Sequence, residues 1–184
     1  MRKAKEIVDS VYVNGFAARG PGFQTPSDFF DGLQEKRNMA KEKMKGIELF
    51  DHTFFDTSLD QAEVTDPQIR FLLELTYEAF QDAGVKKTAS LPLAQVAVYV
   101  GSSFSDFHLA ALSSGQTNGH EHTGAAGTML SNSISRFFGF GGASVKIDSA
   151  CSSSLQAMDM VRCLVKEENV LFPVSLIIFL INTQ

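Results

Sequence analysis

The sequence contains no tryptophan, five prolines and only two cysteines in 184 residues. Two cysteines exclude the disulfide framework that holds many small secreted domains together. Cys151 and Cys163 fall on one predicted turn and helix, about 18 Å apart at a rise of about 1.5 Å per residue, so they cannot bridge within it. A reducing, cytosolic compartment fits this chain best.

The sequence also has no apolar run long enough to cross a bilayer. Its most apolar stretch, residues 170–181, contains Pro173 and spans about 12 residues, whereas a membrane helix needs about 20. Basic residues near the amino terminus are interrupted by Glu6 and Asp9 before any apolar region forms, unlike a secretory signal. Neither a membrane span nor a secretory leader is therefore predicted.

An excess of positive charge is absent too. The formal net charge is −5 at pH 7, so we expect neither nucleic acid nor an anionic membrane surface as a partner. Hydrophobic residues make up 44% and charged residues 20%, as in ordinary globular proteins. The length is sufficient for one domain with a buried core.

The stretch Lys146–Leu155, KIDSACSSSL, carries the most chemistry. Apolar residues that lead into it are typical of a buried strand. Beyond it, apolar residues recur at helical spacing, at Leu155, Met158, Val161, Leu164 and Val165. A strand, a turn of small residues and a helix are therefore predicted to meet at Cys151.

A thiol at the start of a helix can be chemically special. The helix N-terminus directs unpaired N–H groups and partial positive charge at the sulfur, which favours a thiolate. The same groups can bind an oxyanion beside it. A lone cysteine in an apolar region is nevertheless more often an inert buried side chain, and residue type and spacing leave both interpretations open.

Strands and helices alternate elsewhere, which predicts an α/β layer structure. Val11–Val13 and Val96–Gly101 are typical of strands, and residues 128–138 of a helix. The polar, glycine-rich residues 113–127 predict a loop.

Two further helices have clear start signals. Ser27 is a good N-cap for a helix whose inward residues would be Phe29, Phe30 and Leu33. Asp66 and Pro67 begin a longer amphipathic helix that ends before Gly84. An ion pair between Arg70 and Glu74 is expected on its surface.

Four separated motifs resemble the β-ketoacyl synthases, the condensing enzymes of modular polyketide synthases and animal-type fatty acid synthases. They are Gly15–Gly22, Asp66–Gly84, Asn132–Phe138 and, around the cysteine, Asp148–Leu155. The resemblance implies an α/β fold of the thiolase-like type, layered α/β/α, of which the sequence covers only the N-terminal half.

The resemblance also predicts boundaries along the chain. Residues 1–10 are an N-terminal extension, and residues 11–168 are the N-terminal portion of a ketosynthase domain. Residues 169–184 form a divergent apolar tail that resembles nothing in the family.

In this family the cysteine accepts an acyl group, which identifies Cys151 as the expected nucleophile. Two histidines on motifs downstream then assist decarboxylation of a malonyl unit, and the resulting carbanion takes up the acyl group by Claisen condensation. The four histidines here precede Cys151 and match none of those contexts: they are His52, His108, His120 and His122. We therefore expect the chain to be acylated but not to complete condensation on its own.

The resemblance implies partners rather than a bound cofactor. Acyl and malonyl groups would arrive on the phosphopantetheine arm of an acyl carrier domain, and the parent enzyme is expected to be a homodimer. The basic run at residues 36–45 is expected to be a solvated face; a docking surface for an acidic carrier domain is the alternative.

Two other interpretations remain open. One is that the chain is a non-catalytic half-domain that only binds synthase subunits, and the other is that it is a Cys–His hydrolase that uses His120 or His122. The two histidines fall short of a zinc ligand set by themselves. A half-domain would expose apolar surface, including residues 170–179, so self-association is expected.

Overall fold

The computed structural model describes residues 11–86, 90–103, 105–114, 119–168 and 175–179. Within these ranges the elements are α1 (Pro26–Gln34), α2 (Leu59–Glu63), α3 (Pro67–Asp82), β1 (Ala97–Gly101), α4 (Asp106–Ser114), α5 (Glu121–Ala125), α6 (Met129–Phe138), β2 (Ser144–Ile147), α7 (Ser153–Glu168) and β3 (Ser175–Phe179). Short 3-10 turns occur at Met39–Lys41 and Leu93–Gln95.

The three described strands form one parallel sheet in the order β2-β1-β3. Gly101 of β1 lies opposite Ile147 of β2 and Phe179 of β3. Parallel neighbours need long crossover connections, which α4 to α6 supply between β1 and β2, and α7 between β2 and β3. The carboxyl ends of the strands therefore share one edge, the edge at which open α/β sheets bind ligands.

Alternate side chains of β1 enter two different cores, because successive strand residues point to opposite faces. Val98 and Val100 are fully buried on one face, together with residues of α3 and α6 that include Leu72 and Ile134. Ala97 and Tyr99 pack on the other face against Ala157 and Val161 of α7. Helices thus cover both faces of the sheet, and the predicted α/β/α layering is confirmed.

Helix α3 follows its local signals. The side chain of Asp66 accepts a hydrogen bond from the Gln68 N–H, Pro67 occupies the first turn, and Gly84 follows the end with φ of +73°. The predicted apolar face is buried. The predicted Arg70–Glu74 ion pair is wrong, however, since Glu74 is paired with Arg19 at 2.5 Å.

The segment before α1 lies along α3 rather than in a sheet. A Cβ on Gly15 would stand 2.4 Å from the Ala79 carbonyl oxygen, so only glycine permits this approach. The Phe16 N–H donates to Asp82 Oδ2 at 2.9 Å. The predicted first strand, Val11–Val13, is wrong: these residues have no regular secondary structure and pair with no described strand, and Val13 is 80% exposed. Strand propensity alone supplies no pairing partner.

Helix α1 begins slightly earlier in the chain than expected. Thr25, not Ser27, is the N-cap, with its side chain accepting from the Asp28 N–H, and Pro26 occupies the first turn. Phe29 is half-buried, whereas Phe30 and Leu33 are exposed, so two of the three predicted inward residues face outward. The reason is that α1 rests on its neighbours with one narrow face, where Gly32 is buried.

Two other expectations need correction. The segment predicted as a loop, residues 113–127, contains α5 and the end of α4, with residues 115–118 outside the described ranges. Residues 175–179, in the predicted apolar tail, form β3, whose backbone pairs with β1. This part of the tail therefore belongs to the sheet.

Candidate active site

Cys151 lies at the shared carboxyl edge of the sheet, between the end of β2 and the first residue of α7. Its thiol is exposed. The predicted succession of strand, turn and helix is confirmed around it. The strand differs in one respect, because β2 is half-buried rather than buried, as expected for the outer strand of the described sheet.

The turn before Cys151 contains a left-handed residue. Ala150 has φ of +56°, a conformation that costs a non-glycine residue roughly 1–2 kcal/mol and persists only where neighbours hold it. The Ala150 N–H donates to Asp148 Oδ1 at 3.1 Å, and the Ser152 N–H donates to the Ser149 carbonyl at 3.3 Å. This reversal presents the Cys151 side chain outward.

Ser153 closes the same turn from inside. Its hydroxyl accepts a hydrogen bond from the Ser149 N–H at 2.9 Å and donates one to the Ala150 carbonyl at 2.6 Å. The residue is only 3% exposed. One buried hydroxyl therefore joins both sides of the turn to the first residue of α7.

Gly101 allows α7 to begin close to the sheet. A Cβ on Gly101 would stand 2.5 Å from the Ser154 nitrogen and 2.7 Å from the Ser153 carbonyl oxygen, both rigid backbone atoms. The glycine that ends β1 thus leaves the space that the start of α7 occupies. Sequence analysis identified this glycine but not its purpose.

Asp148 is the acidic group of the turn. The hydrogen bond from the Ala150 N–H, followed by the one from the Lys146 ammonium, holds the pKa of Asp148 below its ordinary value of 3.8. Lys146 Nζ is 3.1 Å from Asp148 Oδ2. Lys146 of β2 and Ala150 of the turn therefore share one carboxylate, which ties the turn to the strand.

The first amides of α7 are not as free as the sequence suggested. The Ser153 N–H donates to the Ala150 carbonyl at 3.1 Å, and the Ser152 N–H is used in the turn. These two donors therefore stabilise the turn rather than pointing at an anion. The reason is that the turn closes with the 3-10 hydrogen bonds common at helix ends.

The outward face of α7 is partly apolar. Ala157 and Val161 are buried against the sheet, but Leu155 is 68% and Met158 36% exposed. The apolar residues that recur at helical spacing in this helix are therefore not all buried, since Leu155 and Met158 face outward. Cys163, the second cysteine, is free and half-buried on the same helix.

A polar network beside the turn was missed by sequence analysis. Asp66 is 3% exposed, and its carboxylate accepts from the Gln68 N–H at 2.7 Å and from the Ser105 hydroxyl. Ser102, directly after β1, donates to Gln68 Oε1 at 3.1 Å and, through its N–H, to the Ile147 carbonyl at 3.0 Å. The only sequence signal was the cap role of Asp66, because the partners come from distant segments.

His52 and His120 make local hydrogen bonds in the described part of the chain. His52 Nδ1 lies 2.9 Å from the Thr57 carbonyl oxygen within one turn, and the His120 carbonyl accepts from the Gly124 N–H at 2.7 Å. The side chains of His108 and His122 lie outside the described part of the structure. Among the described residues, no cluster of three metal-ligating side chains occurs, and no helix there has the length and apolarity to cross a membrane.

The basic run at residues 36–45 is divided by its contacts. Its lysines are exposed, as expected for a solvated face. Arg37 instead folds back onto α1, where Nη2 donates to Asp28 Oδ1 and to the Asp28 carbonyl, each at 2.8 Å. Arg37 is therefore structural, and only the lysines present a basic surface.

The chain is similar in sequence to synthases of known identity. The chain is 34% identical over 170 residues to a fatty acid synthase of Anser anser anser, covering 83% of this chain and 48% of that protein. It is 42% identical over 116 residues to the polyketide synthase GfsA of Streptomyces halstedii, covering 60% of this chain and 2% of that protein. The chain thus spans less than half of the length of each of these two relatives.

The fold of the chain is similar to the folds of solved ketosynthase structures. A ketosynthase from module 6 of the bacillaene synthase of Bacillus subtilis 168 superimposes with a TM-score of 0.72 at 28% identity, covering 85% of this chain and 29% of that one. The oxazolomycin ketosynthase domain OzmH KS7 of Streptomyces albus JA3453 has a TM-score of 0.72 at 24% identity, covering 84% of this chain and 31% of that one, and shows the fold alone. The architecture is therefore the N-terminal half of the thiolase-like fold.

The family itself is shown by a match over most of the chain. Residues 39–170 match the family described as "Beta-ketoacyl synthase, N-terminal domain". This range contains the whole path from α2 to α7, including Cys151. With its fold and its relatives in agreement, the chain belongs to the β-ketoacyl synthase family.

Proposed function

We propose that Cys151 is the nucleophile that accepts an acyl group from a thioester. The observation that carries this proposal is its position: an exposed thiol at the carboxyl edge of a parallel sheet, held outward by a left-handed turn at the start of a helix. The Cys151 sulfur, as thiolate, attacks the thioester carbonyl carbon. A new C–S bond forms and the C–S bond of the thioester breaks, and the departing thiolate takes up a proton that balances the one released by the Cys151 thiol.

The substrates of this step would be acyl groups on the phosphopantetheine arm of an acyl carrier domain, in a cytosolic synthase whose parent enzyme is a homodimer. The likeness to a fatty acid synthase and to polyketide synthases supports this. The parent enzyme would then join the acyl group to a malonyl-type extender by decarboxylative Claisen condensation.

The acylation step is tested by mass spectrometry of the 184-residue chain incubated with an acyl N-acetylcysteamine thioester. One acyl adduct is expected, located on Cys151 by peptide mapping and absent from Cys151→Ser. Cys163→Ser is the matched control because it removes the other thiol and leaves the turn intact. An adduct of equal yield in Cys151→Ser would overturn the assignment.

Condensation is a separate question with its own readout. Decarboxylation of a malonyl unit needs hydrogen-bond donors or positive charge beside the developing enolate, which the family supplies from histidines on later motifs. We expect no ketoacyl product from this chain with acyl and malonyl thioesters, although acylation proceeds. Chromatographic detection of a ketoacyl product would contradict this expectation, whereas absence of both reactions would favour a half-domain that only binds synthase subunits.

A further inference from the structure

We infer that Ser153 is a positioning residue for the thiol of Cys151, an inference that rests on the proposed acyl transfer. Ser153 does not need to touch the substrate for this. Its hydroxyl is the buried group that holds the reversal through Ser149 and Ala150 from which Cys151 projects.

The geometry assigns both halves of the hydroxyl to the turn. The hydroxyl accepts a hydrogen bond from the Ser149 N–H at 2.9 Å and donates one to the Ala150 carbonyl oxygen at 2.6 Å. The Ser153 backbone N–H binds the same Ala150 carbonyl at 3.1 Å. Because Ala150 is left-handed and lacks the freedom of glycine, the turn needs these bonds to persist.

Burial makes the hydroxyl hard to replace. At 3% exposure no bulk water reaches Ser153 freely, so loss of the hydroxyl leaves the Ser149 N–H and the Ala150 carbonyl without this partner. The neighbouring Ser152 hydroxyl is different, since it is exposed and donates to the Ser149 carbonyl at 2.8 Å. The buried serine, not the exposed one, therefore sets the direction of Cys151.

The consequence is specific to acyl transfer. A small alkylating reagent needs an accessible thiolate but tolerates many angles of approach. A thioester must meet the sulfur in one alignment, and a misplacement of about 1 Å costs up to roughly a hundredfold in rate. Loss of Ser153 is therefore expected to slow acylation of Cys151 by about tenfold or more. Iodoacetamide is expected to label Cys151 at a rate within about twofold of wild type, because alkylation needs an accessible thiolate but not one fixed alignment.

The experiment compares wild type, Ser153→Ala and Ser153→Thr, which restores the hydroxyl. Rates of Cys151 acylation by acyl N-acetylcysteamine and of alkylation by iodoacetamide are measured on the 184-residue chain. Ser131→Ala is the matched control: Ser131 is 1% exposed and its hydroxyl donates to the Thr128 carbonyl at 3.4 Å in the first turn of α6, outside the site. Slow acylation in Ser153→Ala only, with recovery in Ser153→Thr, supports the inference.

The two levels of failure are distinguishable. Wild type that is not acylated at Cys151 overturns the proposed function and this inference with it. Wild type that is acylated while Ser153→Ala reacts equally fast overturns the inference alone, as does equal slowing of alkylation and acylation. Amide exchange at Ser149 gives an independent readout, expected to quicken in Ser153→Ala and not in Ser131→Ala; unchanged exchange would also overturn it.

If Ser153→Ala does not fold, Ala150→Gly is introduced into both wild type and Ser153→Ala, and the two resulting chains are compared. Glycine adopts positive φ without a side-chain penalty, so it relieves the turn. Ala150→Gly with Ser153→Ala is expected to acylate more slowly than Ala150→Gly alone, and equal rates would contradict the role of Ser153.

Discussion

The guanidinium of Arg19 donates a hydrogen bond to Glu74 Oε2 at 2.5 Å, although the two residues are 55 positions apart in the sequence. A second donation goes to Glu78, one turn further along α3. Both Arg19 and Glu74 are mostly buried, with side chains 20% and 21% exposed. Burial works to lower the pKa of Arg19, but Glu74 and Glu78 outweigh it and raise the pKa. The segment before α1 is therefore fastened to the helix that forms one wall of the core.

Arg19→Ala is expected to destabilise the chain by about 2 kcal/mol, because hydrogen bonds to charged groups contribute about 1.5–3 kcal/mol and two carboxylates would be left side by side. The measurement is the urea midpoint with the slope unchanged. Arg162→Ala is the control, since the Arg162–Asp159 pair is about half exposed and its loss is expected to leave the urea midpoint almost unchanged. Equal losses in both variants would contradict the structural role of Arg19.

Gly101→Ala is expected to displace the start of α7. The new Cβ would press on the Ser154 nitrogen at 2.5 Å, and overpacking of this kind costs about 1–3 kcal/mol. Thermal unfolding is the stability measurement, and slower acylation of Cys151 is the functional one. Gly127→Ala is the control, because its nearest neighbour is the end of the Lys146 side chain at 3.9 Å. A Gly101→Ala chain with both properties unchanged would refute this account of the glycine.

The turn at Cys151 is expected to weaken in acid. The folded-state pKa of Asp148 lies below 3.8, chiefly through the Ala150 N–H and then through Lys146. A lowered carboxyl pKa means that its contribution is complete above pH 3.8 and is lost as the pH falls through the folded-state pKa. Side-chain carbon NMR should show Asp148 titrating below 3.8 in wild type. In Lys146→Met the midpoint should rise yet stay below 3.8, and a wild-type midpoint at or above 3.8 would contradict the turn geometry.

The exposed apolar face of α7 is expected to cause self-association of the chain. Leu155 is 68% and Met158 36% exposed on one side of this helix, and contiguous apolar surface of that kind marks interaction or aggregation. Leu155→Glu with Met158→Glu should shift the chain toward the monomer in analytical ultracentrifugation. Gln156→Glu, at an exposed polar residue of the same helix, is the control for added negative charge and should leave the distribution unchanged. A wild-type chain that sediments as a single monomer across a wide range of protein concentrations would count against this prediction.

Local signals predicted local structure well. Asp66, Pro67 and Gly84 bound α3 because a cap, a fixed φ and a left-handed residue act within a few positions of one another. The motif around Cys151 likewise placed a turn between β2 and α7. The same local reasoning was wrong for Arg70, because Glu74 is taken by Arg19 from a segment that only the fold brings near.

Strand pairing and helix packing that depend on residues far away in the chain were not predicted from the sequence. Val11–Val13 has strand-forming residues but no described neighbour to pair with. Residues 175–179 looked like part of a tail and instead extend the sheet beside β1. Leu155 and Met158 have the spacing of a buried stripe, yet α7 is in contact with the described sheet through Ala157 and Val161. Periodicity gives the faces of an element, and only packing decides which face is covered.

By itself the sequence determined the family, the α/β class, the bounds of the best-capped helix and the identity of Cys151 as the candidate nucleophile, since these depend on residue type and short spacing. The tertiary structure alone decided how that thiol is held. Ser153 fills the inside of the turn, Gly101 leaves room for α7, and Arg19 reaches Glu74 across the chain. These relations depend on distances between segments that lie far apart in sequence, which residue patterns do not record.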